Sequence, residues 1–208
     1  MLKLYYAPGT CARASHIALA QSGAPYETAR LDFSRDEQKS PGYLRVNGKG
    51  RVPALATDRG VLTETPAILM FIAQSFPQAQ LAPLDDPFAL AQINSFNSYL
   101  CATVHVAHAH KQRGHRWADD PAAHEAMRKR VPQSMGECFE LIETELFKGP
   151  WVMGERYSVS DAYLFTVAGW LKSDDVDIAR FPKVADHRRR MGEISEVQQV
   201  IATESAPL

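Results

Sequence analysis

The stretch Leu2-Lys-Leu-Tyr-Tyr-Ala-Pro-Gly-Thr-Cys-Ala-Arg-Ala-Ser-His-Ile-Ala-Leu-Ala-Gln-Ser-Gly23 decides the fold. Residues 2–6 alternate as a strand does, and Pro8-Gly9 ends the run. Residues 11–22 then place Ala14, Ile17, Ala18 and Gln21 on one helical stripe, with Gly23 where a C-terminal cap belongs. A strand turning into a helix opens a β-α-β unit, and residues 26–31 supply its second strand. The polar stretch after that strand reads as irregular or weakly helical. Arg51-Val-Pro-Ala-Leu-Ala56 and Val61-Leu-Thr63 flank Asp58-Arg-Gly60, a hairpin pattern. Thr65-Pro66 opens an apolar helix through Phe76, with Thr65 as N-cap and Pro66 at the first helical position, where its missing N–H has no intrahelical partner.

The character changes near residue 80. Pro77, Pro83 and Pro87 punctuate a segment that cannot be one regular element. Beyond it, helical periodicities cover 88–113, 121–147, 158–172 and 183–203, the last broken near Gly192. The expected organisation is a small α/β domain over 1–80, a linker over 81–87 and an all-helical domain over 88–208. The chain's 208 residues suit that division, and 45% hydrophobic with 23% charged residues excludes intrinsic disorder. With 23 Lys+Arg against 24 Asp+Glu, the balance argues against a nucleic-acid partner. The longest apolar run, residues 67–73, is far below the roughly 20 residues of a membrane span. Three cysteines form no disulfide framework, and no apolar signal core opens the chain, so the expectation is a cytoplasmic protein.

The chemistry gathers at turns of the first domain. Cys11 lies at the start of a helix, where free N–H groups and the helix dipole favour a thiolate, and Arg13 adds positive charge. It also continues the Ala14/Ala18 stripe, so an inert buried thiol fits equally well. No cysteine closely follows it, which argues against a two-cysteine redox motif. Pro53 is either a cis residue that exposes the backbone of Val52 or an ordinary trans opening to a strand. Thr65, at a helix start, suits a carboxylate, and Glu64 beside it suits an ammonium; together they fit an α-amino acid head group, or else a plain helix cap. His105, His108 and His110 carry no nearby carboxylate or cysteine ligand in sequence, so no metal is expected. Ser158-Val-Ser-Asp161 matches a capping box, and Cys101 and Cys138 fall within helical patterns that read as core.

In combination, Tyr6-Ala-Pro-Gly-Thr-Cys11-Ala-Arg-Ala-Ser-His16, Asn47-Gly-Lys-Gly-Arg-Val52-Pro53-Ala-Leu55, Thr63-Glu64-Thr65-Pro-Ala-Ile68 and Ser158-Val-Ser-Asp-Ala-Tyr-Leu-Phe165 resemble the cytosolic glutathione transferases, most nearly their bacterial beta class. The resemblance implies a thioredoxin-like N-terminal domain, an all-helical C-terminal domain and a homodimer, with glutathione as co-substrate and a small hydrophobic electrophile as the second substrate. It also implies catalytic roles for Cys11 and His105. Cys11 lies beside the glutathione sulfur, Val52 pairs through its backbone with the cysteinyl part, and Pro53 is the cis-proline after it. Glu64 and Thr65 grip the γ-glutamyl end, and Arg35 is the nearest counterpart of a lysine that touches the glycine end. Ser158 and Asp161 form the capping box of a buried helix. This chain departs from the beta-class pattern at Ser98, Ala102 and Val106, the last replacing a frequent lysine. Tyr99, His108, Arg113, Trp117 and Trp170 are candidate walls of the electrophile pocket.

Three activities fit these residues. The first is conjugation of glutathione to an electrophile, a detoxification chemistry. The second is thiol–disulfide or peroxide reduction through a Cys11–glutathione mixed disulfide. The third is ligand binding without catalysis.

Overall fold

Strand β1 (Leu2–Tyr6) sits inside a four-stranded sheet of order β2-β1-β3-β4. The structure, a computed structural model, describes residues 1–206. Leu4 and Tyr6 face the core from β1, as the alternation in its sequence requires. Helix α1 (Ala12–Ser22) carries the chain to β2 (Tyr26–Arg30), which pairs parallel to β1. Gly23 ends α1 in the left-handed region at φ 70. Strands β3 (Ala54–Thr57) and β4 (Gly60–Thr63) form the expected hairpin, and β3 runs antiparallel to β1 with Leu55 opposite Leu4. Between β2 and β3 lie two short 3₁₀ turns, Phe33–Arg35 and Glu37–Lys39, and the short helix α2 (Pro41–Leu44).

Helix α3 (Thr65–Ser75) begins one residue earlier than its sequence suggests. Glu64 is the capping residue, with φ 72 and ψ 122, so Thr65 is already helical and Pro66 follows in the first turn. The Val52–Pro53 peptide bond is cis.

The helical domain comprises α4 (Pro87–Tyr99), α5 (His105–Ala109), α6 (Pro121–Leu141), α7 (Val159–Ala168), α8 (Pro182–Gly192) and α9 (Ser195–Ser205). The continuous helix expected over 88–113 is interrupted. A wider π-helical turn over Leu100–Val104 joins α4 to α5, and the helix ends at Ala109. A π turn advances the chain by less angle per residue, so a 3.6-residue wheel drawn through the segment misplaces everything after residue 100. The helix expected over 121–147 likewise passes from α6 into a π turn over Ile142–Leu146, and the one over 158–172 stops at Ala168. The break near Gly192 stands where the sequence puts it.

The two domains share their core through α1. Ile17 packs with Ala162, Phe165, Met191, Val197 and Val200, all from the helical domain. Arg13 donates to the buried Glu204 of α9 at 2.7 Å, and the same carboxylate accepts the Gly9 N–H at 3.0 Å. Trp170 donates its indole N–H to the Gly9 carbonyl at 2.9 Å. These contacts hold the β1–α1 turn, with Cys11 at its end, against the second domain. Leu81 in the connecting segment is buried, and its carbonyl accepts from the Val159 N–H at 2.9 Å.

Candidate functional site

Two adjoining cavities open along the junction of the domains. The first, about 250 Å³, is lined by Cys11, Val52, Pro53, Glu64, Thr65 and His105 among others. The second, about 360 Å³, shares Cys11, Arg51, Val52, His105 and Arg116 with it and adds Phe33, Lys39, His108, Arg113 and Trp170. Six of the residues singled out in the sequence are thus brought together from β1–α1, the loop before β3, the start of α3 and α5.

Cys11 caps α1 as expected, but its environment is not that of a reactive thiolate. The residue is 7% exposed, and its Sγ donates to the Val52 carbonyl at 3.5 Å. Burial pushes the thiol up to about 11, and neither Thr65 nor Arg113 offsets this. Arg13, which sequence places nearby as a positive charge, is consumed by its ion pair with Glu204. That partner lies 191 positions away and is invisible to local reading. Burial thus opposes the thiolate that the helix start favours, and of the two readings of Cys11 the buried thiol fits its surroundings better.

Cys101 corrects the core reading. It packs against the core only in part and lines the first cavity together with Cys11. Cys138 is buried, as the sequence suggests.

The start of α3 is open. No side chain caps it, and Glu64 holds a backbone conformation that L-residues rarely adopt, of the kind that concentrates at ligand sites. The Glu64 carboxylate already has an ammonium partner, Lys49, at 2.6 Å, and Lys49 also donates to Thr63 at 2.8 Å. Glu64 is half exposed, whereas Thr65 is buried.

His105 begins α5 and packs on Trp170, ring centroids 5.0 Å apart. Burial pushes its imidazole down from 6.5 to about 4, and Arg113, His108, Arg116 and Arg51 press in the same direction. It is neutral at pH 7. His108 stacks on Trp170 at 4.4 Å and contacts the buried Asp174 at 2.7 Å; His110 packs on Trp117 at 4.2 Å. Among the described residues no group of three His, Cys, Asp or Glu is arranged to hold a metal ion.

Arg35 lines neither cavity. Its side chain is 78% exposed and lies 3.9 Å from Asp32. Lys39 lines the second cavity instead. Of the proposed pocket walls, His108, Arg113, Trp117 and Trp170 line one cavity or the other. Tyr99 does not; its hydroxyl donates to the Cys138 carbonyl at 3.4 Å.

Sequence reading missed Lys49, Arg116 and Tyr163 as wall residues. Tyr163 sits in the apolar run of α7, yet its buried hydroxyl has no hydrogen-bond partner and borders the first cavity. Burial drives its pKa upward, so it stays a donor. No periodicity signal distinguishes such a residue from core.

Ser158 and Asp161 form the expected capping box away from these cavities. Asp161 Oδ2 accepts the Ser158 N–H at 2.8 Å, and Ser158 Oγ accepts the Ser160 N–H at 3.3 Å. Asp161 Oδ1 also accepts the Val152 N–H at 2.8 Å and faces His187 Nε2 at 3.0 Å.

Known proteins share this fold. Residues 1–74 match the family model for the glutathione S-transferase N-terminal domain, and residues 121–190 match the one for the C-terminal domain. Glutathione S-transferase GstA of Escherichia coli O157:H7 is 32% identical over 98% of both chains. A glutathione transferase homolog from Sulfitobacter, solved with bound glutathione, superposes with a TM-score of 0.96 at 43% identity over 99% of both chains. A bacterial beta-class glutathione S-transferase from Sphingomonas chungbukensis superposes at 0.84, with 30% identity over 98% of both. The sheet order, the cis bond before β3 and the open start of α3 thus sit in a chain similar to these from end to end, and the protein belongs to the glutathione S-transferase family.

Proposed function

We propose that this protein conjugates reduced glutathione to small electrophiles with a hydrophobic body. The observation that carries the reading is the convergence of three backbone features on one cavity: the start of α1 at Cys11, the Val52–Pro53 bend and the uncapped start of α3. The α-carboxylate of the γ-glutamyl group suits the free N–H groups and Thr65 hydroxyl at α3, and its ammonium suits Glu64. The cysteinyl part lies along the Val52 backbone, beside Pro53, which brings its sulfur to Cys11. The glycine carboxylate falls toward Lys39 and Arg51 rather than Arg35.

A protonated Cys11 is a hydrogen-bond donor, now spent on the Val52 carbonyl, that can be turned to glutathione's sulfur. Donation to the charged form favours the glutathione thiolate and lowers its pKa. The neutral His105 imidazole borders the same space, where its one ring N–H can donate to the glutathione sulfur, and the thiol proton leaves to water. The sulfur lone pair then forms a C–S bond at the electrophilic carbon. The C–X bond breaks, and X leaves with its electron pair.

The alternative, reduction through a Cys11–glutathione mixed disulfide, gains from one observation: Cys101 shares the cavity and could act as a second thiol. It loses to the raised Cys11 pKa, since the attacking species is the thiolate. A cytoplasmic homodimer completes the proposal.

Retention on immobilised glutathione, followed by aryl-halide conjugation by the wild type and Cys11→Ala, tests the reading. Conjugation should persist in the variant, because the attacking sulfur belongs to glutathione. Alkylation of Cys11 in the wild type should accelerate with pH toward a midpoint near 11. Failure to bind glutathione would sink the proposal. Loss of all turnover in Cys11→Ala, together with rapid labelling at pH 7, would favour the mixed-disulfide route.

A further inference from the structure

Three guanidiniums, Arg51, Arg113 and Arg116, converge on the second cavity, and among the described residues no Asp or Glu lies within 4.0 Å of any of them. The acids nearby are already engaged: Asp36 with Lys39 at 3.0 Å, Asp174 with His108 at 2.7 Å, and Glu64 with Lys49 at 2.6 Å. The cavity thus holds more positive charge than its own walls neutralise. Two of the arginines sit on a loop that is tied down on several sides. Gly114 lets the loop approach α6 so closely that a Cβ there would lie 3.1 Å from the His124 ring. His124 Nε2 contacts the Ala118 carbonyl at 2.6 Å, and Arg128 donates to the Lys111 carbonyl at 3.1 Å. Arg113 and Arg116 are therefore held on either side of a fixed point, at the cost of facing each other and Arg51. That mutual repulsion is visible in Arg116, whose pKa is lowered by burial first and by both neighbours after it.

Glutathione brings two carboxylates. In the binding mode proposed above, one goes to the start of α3 and the other toward Lys39 and Arg51. Arg113 and Arg116, on the helical-domain side, are left over. Trp170 lines the same cavity, but it is buried and stacked by His108.

We infer that the electrophile carries an oxyanion of its own, such as a carboxylate, held by Arg113 and Arg116. This inference rests on the glutathione transferase reading and narrows its substrate class. The planar guanidinium fork matches a carboxylate with paired hydrogen bonds, which favours anion recognition at this wall over a purely apolar pocket.

The test compares a chlorodinitrobenzoate with its neutral amide. Each rate of conjugation is divided by the uncatalysed rate with glutathione, and glutathione Kd is measured in parallel by calorimetry. The wild type should prefer the benzoate by about tenfold or more, as one charge-assisted contact allows. Added salt should shrink that preference. The double change Arg113→Gln and Arg116→Gln should bring the ratio close to one, with glutathione Kd moving by less than about twofold. The double change to Lys should keep part of the preference, since charge stays while the fork is lost, which separates loss of charge from a disturbed loop. A wild-type ratio near one with glutathione still bound would overturn this inference alone. So would a ratio that survives the double Gln change, or a parallel loss of glutathione affinity, since the guanidiniums would then serve glutathione. No glutathione binding at all would overturn the parent reading and this one together.

Discussion

Helices α3 and α7 begin with the same elementary problem, a set of backbone N–H groups without intrahelical partners, and meet it in opposite ways. At α7 the problem is closed from within. Ser158 and Asp161 satisfy each other's backbone, Asp161 reaches on to Val152 and His187, and the whole assembly is buried. At α3 it is left open. Glu64 sits at φ 72, no side chain caps the helix, and the half-exposed Glu64–Lys49 pair stands at the rim of a cavity. A filled helix start stabilises the fold, whereas an uncapped one leaves its N–H groups without a side-chain partner.

The closed start of α7 depends most on Asp161. Asp161→Ala removes acceptors from buried Ser158 and Val152 N–H groups and from His187, so destabilisation of about 3–5 kcal/mol is expected. Ser158→Ala, which loses one cap bond, should cost about 0.5–2 kcal/mol. Denaturant midpoints measure both, and glutathione affinity of the folded fraction should not follow them. Equal small effects in the two variants would mean that the links to Val152 and His187 carry nothing.

Glu64 should behave in the reverse manner. Glu64→Gln should weaken glutathione binding by about 1–2 kcal/mol, less than an enclosed charge contact because the carboxylate is half exposed and shared with Lys49. Glu64→Gly tests the backbone separately. Relief of the positive φ should raise stability by about 1 kcal/mol while binding still falls. A calorimetric Kd unchanged in both variants would make α3 an ordinary helix start.

His105 carries a pH dependence. Its folded pKa, about 4, is below its ordinary 6.5, so between these values the unfolded chain binds more protons than the folded one. Stability should therefore fall as pH drops from 6.5 toward 4, and His105→Asn should flatten that part of the profile. An identical pH profile in the variant would place the buried imidazole elsewhere.

Much of this protein was legible because its determinants are local. The alternation of residues 2–6, Gly23 after α1, the Asp58-Arg-Gly60 turn and the spacing of Ser158 and Asp161 each act within one element, and each has its expected structure. The order of these signals was also enough to suggest the family. Tertiary structure decided the rest, because electrostatics and burial depend on neighbours that are distant in sequence. Glu204 neutralises Arg13 from the far end of the chain, and packing rather than helix position sets the Cys11 thiol. The π turn over Leu100–Val104 changes which later residues share a face, and of the two basic residues around Asp36, Lys39 lines the cavity while Arg35 does not. Sequence determined which helix starts and turns this chain would form. Only the meeting of its two domains determined which charges remain unpaired beside Cys11, since a side chain's charge is specified locally but its neutralisation is not.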